Sequence, residues 1–212
     1  MDFPELLSIV GDQPLFETGL LLAGERDPAA LRVQLARWVK SGRLLQLRRG
    51  LYALAEPYRR VDPHPFVVAN RLAPGSYVSL ESALAYWSMI PEGIAQVQSV
   101  GLGRTHQWAT PLGDCSLRHV HRGLLYGYQR IQVDRDQWAY CAEPTKALLD
   151  LVHLTPGGDD PTYLASLRLQ NWQTLDLDRL QEHAKRSSRQ KLQRAAATLV
   201  QMARERSEEV TA

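Results

Sequence analysis

With 212 residues, 44% of them hydrophobic and 23% charged, the chain has enough apolar material to core one large or two small domains. A net charge of +2 excludes a uniformly basic nucleic-acid coat. Two cysteines, Cys115 and Cys141, make no disulfide framework, no apolar run approaches the ~18 residues of a membrane span, and the acidic opening Met1-Asp2-Phe3-Pro4-Glu5 is unlike a signal peptide, so a cytoplasmic protein with reduced thiols and no membrane contact is expected.

Phe3–Val10 reads as a short amphipathic helix with Leu6, Leu7 and Val10 inward, broken by Gly11-Asp12-Gln13-Pro14. A second helix is expected over Phe16–Ala23, ended by Gly24. Asp27 is a good N-cap and Pro28 fits the first helical position, where its missing N–H would be unpaired anyway. Helix is then favoured from Ala29 to Ser41, and Gly42 can take the left-handed conformation that closes it. Leu44–Arg48 and Leu51–Leu54, on either side of Arg49-Gly50, read as a β-hairpin. Three helices, the short connection Gly24–Asp27 and a basic hairpin have the order of a winged helix-turn-helix, assigned here to residues 1–58.

The third helix has two chemically different sides. At about 100° per residue, Leu31, Leu35, Trp38 and Val39 form a stripe facing a core. Opposite lie Val33, Ala36, Arg37 and Lys40, with Arg32 at the flank. Long cations among small side chains can enter a major groove without clashing, and Val33 or Ala36 can meet a thymine methyl. Arg48 and Arg49 at the hairpin tip would reach phosphates or the adjacent minor groove. From Arg26 to Arg60 there are nine Arg or Lys against two acids, Asp27 and Glu56, so the chain's basic charge is concentrated where a phosphate binder needs it. Double-stranded DNA is the expected partner.

Glu56–Pro65, with Pro57, Pro63 and Pro65 beside Arg59, Arg60 and His64, suits an extended linker. A mixed α/β domain over residues 59–212 should follow, making the whole chain α+β. Phe66–Leu72 is helical. After Pro74-Gly75 comes Tyr77-Val78-Ser79, with Ser79 as N-cap of a helix over Leu80–Ser88. Strands are expected at Val97–Val100, Cys115–His121, Leu124–Tyr128, Gln129–Val133 and Gln137–Cys141. Glu143–Leu154 is helical with Ala147, Leu148, Leu151 and Val152 inward, and Thr162–Leu169, Leu177–Arg186 and Arg189–Arg206 are further helices. The apolar stripe of the last, from Leu192 through Leu199 to Ala203, suits packing on the second domain, with a partner or a second DNA contact as alternatives.

Three stretches, in this order behind the basic helix, resemble the AbiEi-type antitoxins of type IV toxin–antitoxin systems. They are Arg48-Arg49-Gly50-Leu51-Tyr52, Tyr77-Val78-Ser79-Leu80-Glu81-Ser82-Ala83-Leu84, and Glu143-Pro144-Thr145-Lys146-Ala147-Leu148-Leu149-Asp150, with Thr145 where the family has Glu. The resemblance implies an N-terminal winged helix that represses its own promoter. It also implies a C-terminal domain that counters a cognate nucleotidyltransferase-like toxin, with Ser79, Glu81, Lys146 and Asp150 as that domain's candidate functional residues. Family members also act as solitary regulators. Read as plain structure, Tyr77 and Leu84 are core, Ser79 and Ser82 are helix caps, and Lys146 and Asp150 are an exposed pair contributing only ~0.3–0.5 kcal/mol.

Enzyme chemistry finds little footing. Gly75-Ser76 looks like a nucleotidyltransferase phosphate turn, but Glu81 is the only acid close behind it, and Asp134/Asp136 and Asp176/Asp178 sit far downstream, suited to turns or a helix start. Cys115, His119, His121 and Cys141 match no common zinc spacing, and His119 with His121 reads as two residues on one face of a surface strand. Gly101-Leu102-Gly103-Arg104 is only a fragment of a dinucleotide loop. The expectation is a DNA-binding regulator without catalytic residues, metal or cofactor, the rivals being a protein-interaction adaptor and an enzyme whose site lies in the second domain.

Overall fold

In the computed structural model, the structure describes residues 1–22, 27–91, 93 and 95–211, with side chains through 206. The chain is mixed α/β, with two sheets among the described residues.

The N-terminal part begins with α1 (Phe3–Val10), whose N-cap Asp2 and Glu5 form a reciprocal capping box. Next come β1 (Phe16–Glu17), α2 (Thr18–Leu22), α3 (Pro28–Lys40), β2 (Leu44–Arg48) and β3 (Leu51–Leu54). The expected helix over Phe16–Ala23 is thus shorter. Phe16 and Glu17 pair antiparallel with Tyr52 and Leu51, and the Phe16 ring stacks on Tyr52 at 5.8 Å. An aromatic residue gains more from that cross-strand pair than from one more helical turn. The stop at Gly24 and the Gly24–Asp27 connection lie outside the described residues.

The three strands form one sheet in the order β1-β3-β2. Its central strand is buried on both faces. Tyr52 and Leu54 join Phe3, Leu6, Leu35 and Trp38 in a small N-terminal core. Leu51 and Ala53, alternating with them, belong to the large core of the rest of the chain, as does Leu47 at a bulge between Gln46 and Arg48. The hairpin therefore lies between its own helices and the second half of the molecule.

The segment after the hairpin is held rather than free. Arg59 bridges Glu56 and Asp62 at 3.1 and 2.7 Å. Gln137 accepts from the His64 backbone N–H and donates to the Asp62 carbonyl.

The second half contains α4 (Pro65–Leu72), β4 (Tyr77–Val78), α5 (Leu80–Tyr86), β5 (Gln96–Gly101), β6 (His106–Thr110), β7 (Gly113–His119), β8 (Tyr128–Asp134), β9 (Gln137–Ala142), α6 (Pro144–Leu154), α7 (Pro161–Ser166), α8 (Leu177–Arg186) and α9 (Gln190–Thr211). The six strands make a mixed sheet, β6-β7-β5-β4-β9-β8. β4 is paired on both sides, antiparallel to β5 and parallel to β9, and both of its side chains are fully buried. Tyr77 points toward α6 and Val78 to the opposite face, so the middle of the sheet is covered on both sides. Three expectations shift here. His106–Thr110 is an additional strand, made by pairing with β7. Leu124–Tyr128 is not a strand but follows a short 3-10 turn at Arg122–Leu124. His121 lies past the end of β7 and caps that turn through Nδ1, so it shares no strand face with His119.

Candidate functional site

Asp27 caps α3 by accepting from the Ala29 and Ala30 backbone N–H groups at 2.9 and 3.1 Å. At the other end the Arg43 backbone N–H donates to the Trp38 carbonyl, and Gly42 takes φ +71, a left-handed conformation that closes the helix. Leu31, Leu35 and Trp38 are buried, and that packing fixes the helix rotation. Arg32, Val33, Ala36, Arg37 and Lys40 are all exposed on the outer side, Val33 by 52%. No carboxylate among the described residues lies within ion-pair distance of the three cations. This is a cationic ridge with two small apolar side chains at its centre.

The two hairpin arginines part company. Arg49 is exposed at the tip, where Gly50 turns the chain with φ +82. Arg48 turns inward, its guanidinium donating to the Arg71 carbonyl of α4 at 3.2 Å and lying 3.5 Å from the Glu17 carboxylate. Expected as a second free cation at the tip, Arg48 instead ties the hairpin to the second half. Leu47 packs into the large core, and the bulge between Gln46 and Arg48 breaks the alternation, so Arg48 follows Leu47 toward α4.

The motif residues of the second half converge on Asp150. Tyr77 donates its hydroxyl to Asp150 Oδ2 at 2.9 Å, Ser79 donates to the same oxygen at 2.8 Å, and the Lys146 ammonium bonds Oδ1. Lys146 and Asp150 are each only 2% exposed, so the pair expected on the surface is buried. Periodicity could not show this, because α6 is buried all round from Thr145 to Val152, packed by α5, α8 and α9. Ser79 sits at the N-cap position of α5 but spends its hydroxyl on Asp150 instead of capping. Leu80, next to it, is held at φ +57, a conformation that costs a non-glycine residue about 1–3 kcal/mol. Burial, reinforced by the Asp150 charge, drives the Tyr77 phenol far above its ordinary pKa and keeps it a hydrogen-bond donor. The Lys146 ammonium lies 5.5 Å from the Tyr77 ring centroid and 5.2 Å from that of Tyr126. The arrangement pins the β4–α5 turn to α6. With both charges buried, a solute reaches neither without rearrangement.

Glu81 stays outside this network and accepts from Gln98 Nε2 at 2.8 Å. Tyr77 was expected to be core and is, at 0% exposure, but its hydroxyl's partner was not legible until α6 was in place. Thr145 is 2% exposed, and its Oγ1 has no hydrogen-bond partner among the described residues.

The other groups weighed from sequence have structural places. His119 Nδ1 lies 3.1 Å from the Leu102 and Gly103 carbonyls. Cys115 and Cys141 are buried, and burial pushes their thiols up to about 11 and about 12. Asp134 and Asp136 sit at the β8–β9 turn, and Asp176 caps α8. Compared with protein-family models and with curated proteins, the chain matches none.

Proposed function

We propose that this chain is a sequence-specific DNA-binding repressor whose first 58 residues act as a winged helix-turn-helix, with α3 in the major groove. The observation that carries this reading is the outer face of α3, where Arg32, Arg37 and Lys40 surround Val33 and Ala36 with no carboxylate among the described residues to neutralise them. Arg37 and Lys40, toward the C-terminal end of α3, read base edges or phosphates, and Arg32 flanks them. Val33 and Ala36 permit close approach. Arg49 at the exposed tip holds backbone or minor groove, whereas Arg48 fixes the angle of the hairpin on the second half.

The resemblance to AbiEi-type antitoxins extends the reading. The natural operator is the chain's own promoter, and residues 59–212 counter a nucleotidyltransferase-like toxin encoded beside it. The Tyr77–Ser79–Lys146–Asp150 network then serves as the scaffold of that half rather than as its working surface.

Gel shift with the DNA upstream of the gene tests the repressor reading. Arg37→Ala should weaken the specific site by about 1–3 kcal/mol more than random DNA if its contact is bidentate to guanine. Equal loss on every sequence removes Arg37 from the groove. The docked hairpin and the internal Arg48 favour a second reading, an adaptor that has given up DNA, and it is the one left if no upstream fragment shifts at low salt.

A further inference from the structure

A cleft of about 400 Å³ opens beside the seam between the two halves, bounded by the end of α4, the loop after β5, and β6. That volume falls within the usual range for small-ligand sites. β6 is also the strand of the large sheet against which β2 of the hairpin packs.

The floor is made by two close approaches. A Cβ on Gly101 would come within 3.1 Å of the Ser76 Cβ, and one on Gly103 within 2.9 Å of a Leu117 methyl carbon, so glycine at both positions keeps the wall flat and the cleft open. Ser76 closes the floor and is only 5% exposed, with its hydroxyl oxygen sealed beneath the surface.

The rim is basic and aromatic. Arg104 and His106 line the cleft, and among the described residues no acidic side chain lines it and no carboxylate pairs with Arg104. Trp108 lines it half-buried, with its ring edge-on to His106 at 4.6 Å between centroids. An aromatic side chain next to unpaired cationic and N–H donors suits a ligand that carries both a planar ring and an oxyanion.

We propose that this cleft binds a nucleoside 5′-phosphate, its base against Trp108 and its phosphate on Arg104 and His106. The same chemistry is offered by a free mononucleotide and by the 5′-phosphorylated end of a nucleic acid strand. No part of this depends on DNA binding by α3.

The test is isothermal titration calorimetry on the full chain with AMP, GMP, CMP and UMP, with adenosine, with inorganic phosphate, and with 5′-phosphorylated and unphosphorylated tetranucleotides. Saturable binding of at least one monophosphate, tighter than adenosine or phosphate alone, is expected. Arg104→Ala should weaken the monophosphate by about tenfold or more and leave adenosine unchanged. Trp108→Ala should weaken both by about tenfold. A phosphorylated tetranucleotide that binds more tightly than any mononucleotide identifies the strand end as the ligand, and the reverse order identifies the free nucleotide. Circular dichroism melting shows that each variant is folded, and the more conservative Arg104→Gln and Trp108→Phe replace any that is not. No saturable heat with any nucleotide or strand at millimolar concentration, or binding indifferent to both substitutions, overturns the proposal.

Discussion

Asp150→Asn is the sharpest perturbation of this fold. It removes one charge and almost no volume from a site where donor and acceptor are each 2% exposed. The Asn carbonyl oxygen can still accept from the Tyr77 and Ser79 hydroxyls, so those two hydrogen bonds are largely kept. What remains is a buried Lys146 ammonium without its counter-charge, and breaking a buried pair in this way costs about 3–5 kcal/mol. Against a typical total of about 5–15 kcal/mol, that is a large share. The second variant, Lys146→Met with Asp150→Asn, removes the orphaned charge as well and should recover part of the loss, leaving about 1–3 kcal/mol because the buried Asn N–H groups then lack an acceptor. Urea unfolding at 25 °C and neutral pH, followed by far-UV circular dichroism, measures both. The reasoning is wrong if Asp150→Asn lies within about 1 kcal/mol of the unmodified chain, or if the double variant is no more stable than the single one, since either result means the ammonium is solvated.

Three further outcomes are expected. Arg49→Ala should lower affinity for specific and random DNA alike and flatten the log–log salt slope by ~0.9, the loss of one phosphate contact. Arg48→Ala should leave that slope unchanged and lower the unfolding midpoint instead; a slope change for Arg48→Ala in filter binding would return it to the DNA interface. His64, His153 and His183 all have pKa values lowered from 6.5, chiefly by burial. Unfolding lets them take up protons, so stability should be level above pH ~7 and fall as the pH drops below about 6.5 toward their lower folded-state values. His183→Asn should blunt that fall in urea titrations at pH 7.5 and 5.5, and an unchanged slope would show that the His183 site does not contribute. Finally, Cys115 and Cys141, buried with raised thiol pKa, should react with a chromogenic disulfide reagent at pH 8 only after urea is added. Rapid reaction of the native chain would contradict their burial.

The helices were legible because their signals are local. Asp27 caps α3 through side-chain bonds spanning two or three residues, and Gly42 closes it within one turn. The two-sided chemistry of α3 is likewise a matter of spacing on one helix, and Arg32, Val33, Ala36, Arg37 and Lys40 emerge on its exposed side as that spacing requires. Where a partner from far along the chain intervenes, the residues alone mislead. Phe16 has a helix-compatible neighbourhood, yet Tyr52 draws it into a strand. His106–Thr110 becomes a strand only beside β7. Arg48 and Arg49 are adjacent and chemically identical, and only the packing of Leu47 against the large core sends one inward and leaves the other outside.

Lys146 and Asp150 make the contrast plainest. Four residues apart on a helix, they are bound to face the same way, and that much is encoded locally. Whether they face water or the interior depends on α5, α8 and α9 closing over α6, and on Tyr77 and Ser79 arriving from about 70 residues earlier to share the carboxylate. Local sequence sets which side chains stand together on an element, because backbone geometry is short-ranged. Burial of that element, and with it the strength and role of every charge it carries, is decided by what the rest of the chain packs against it.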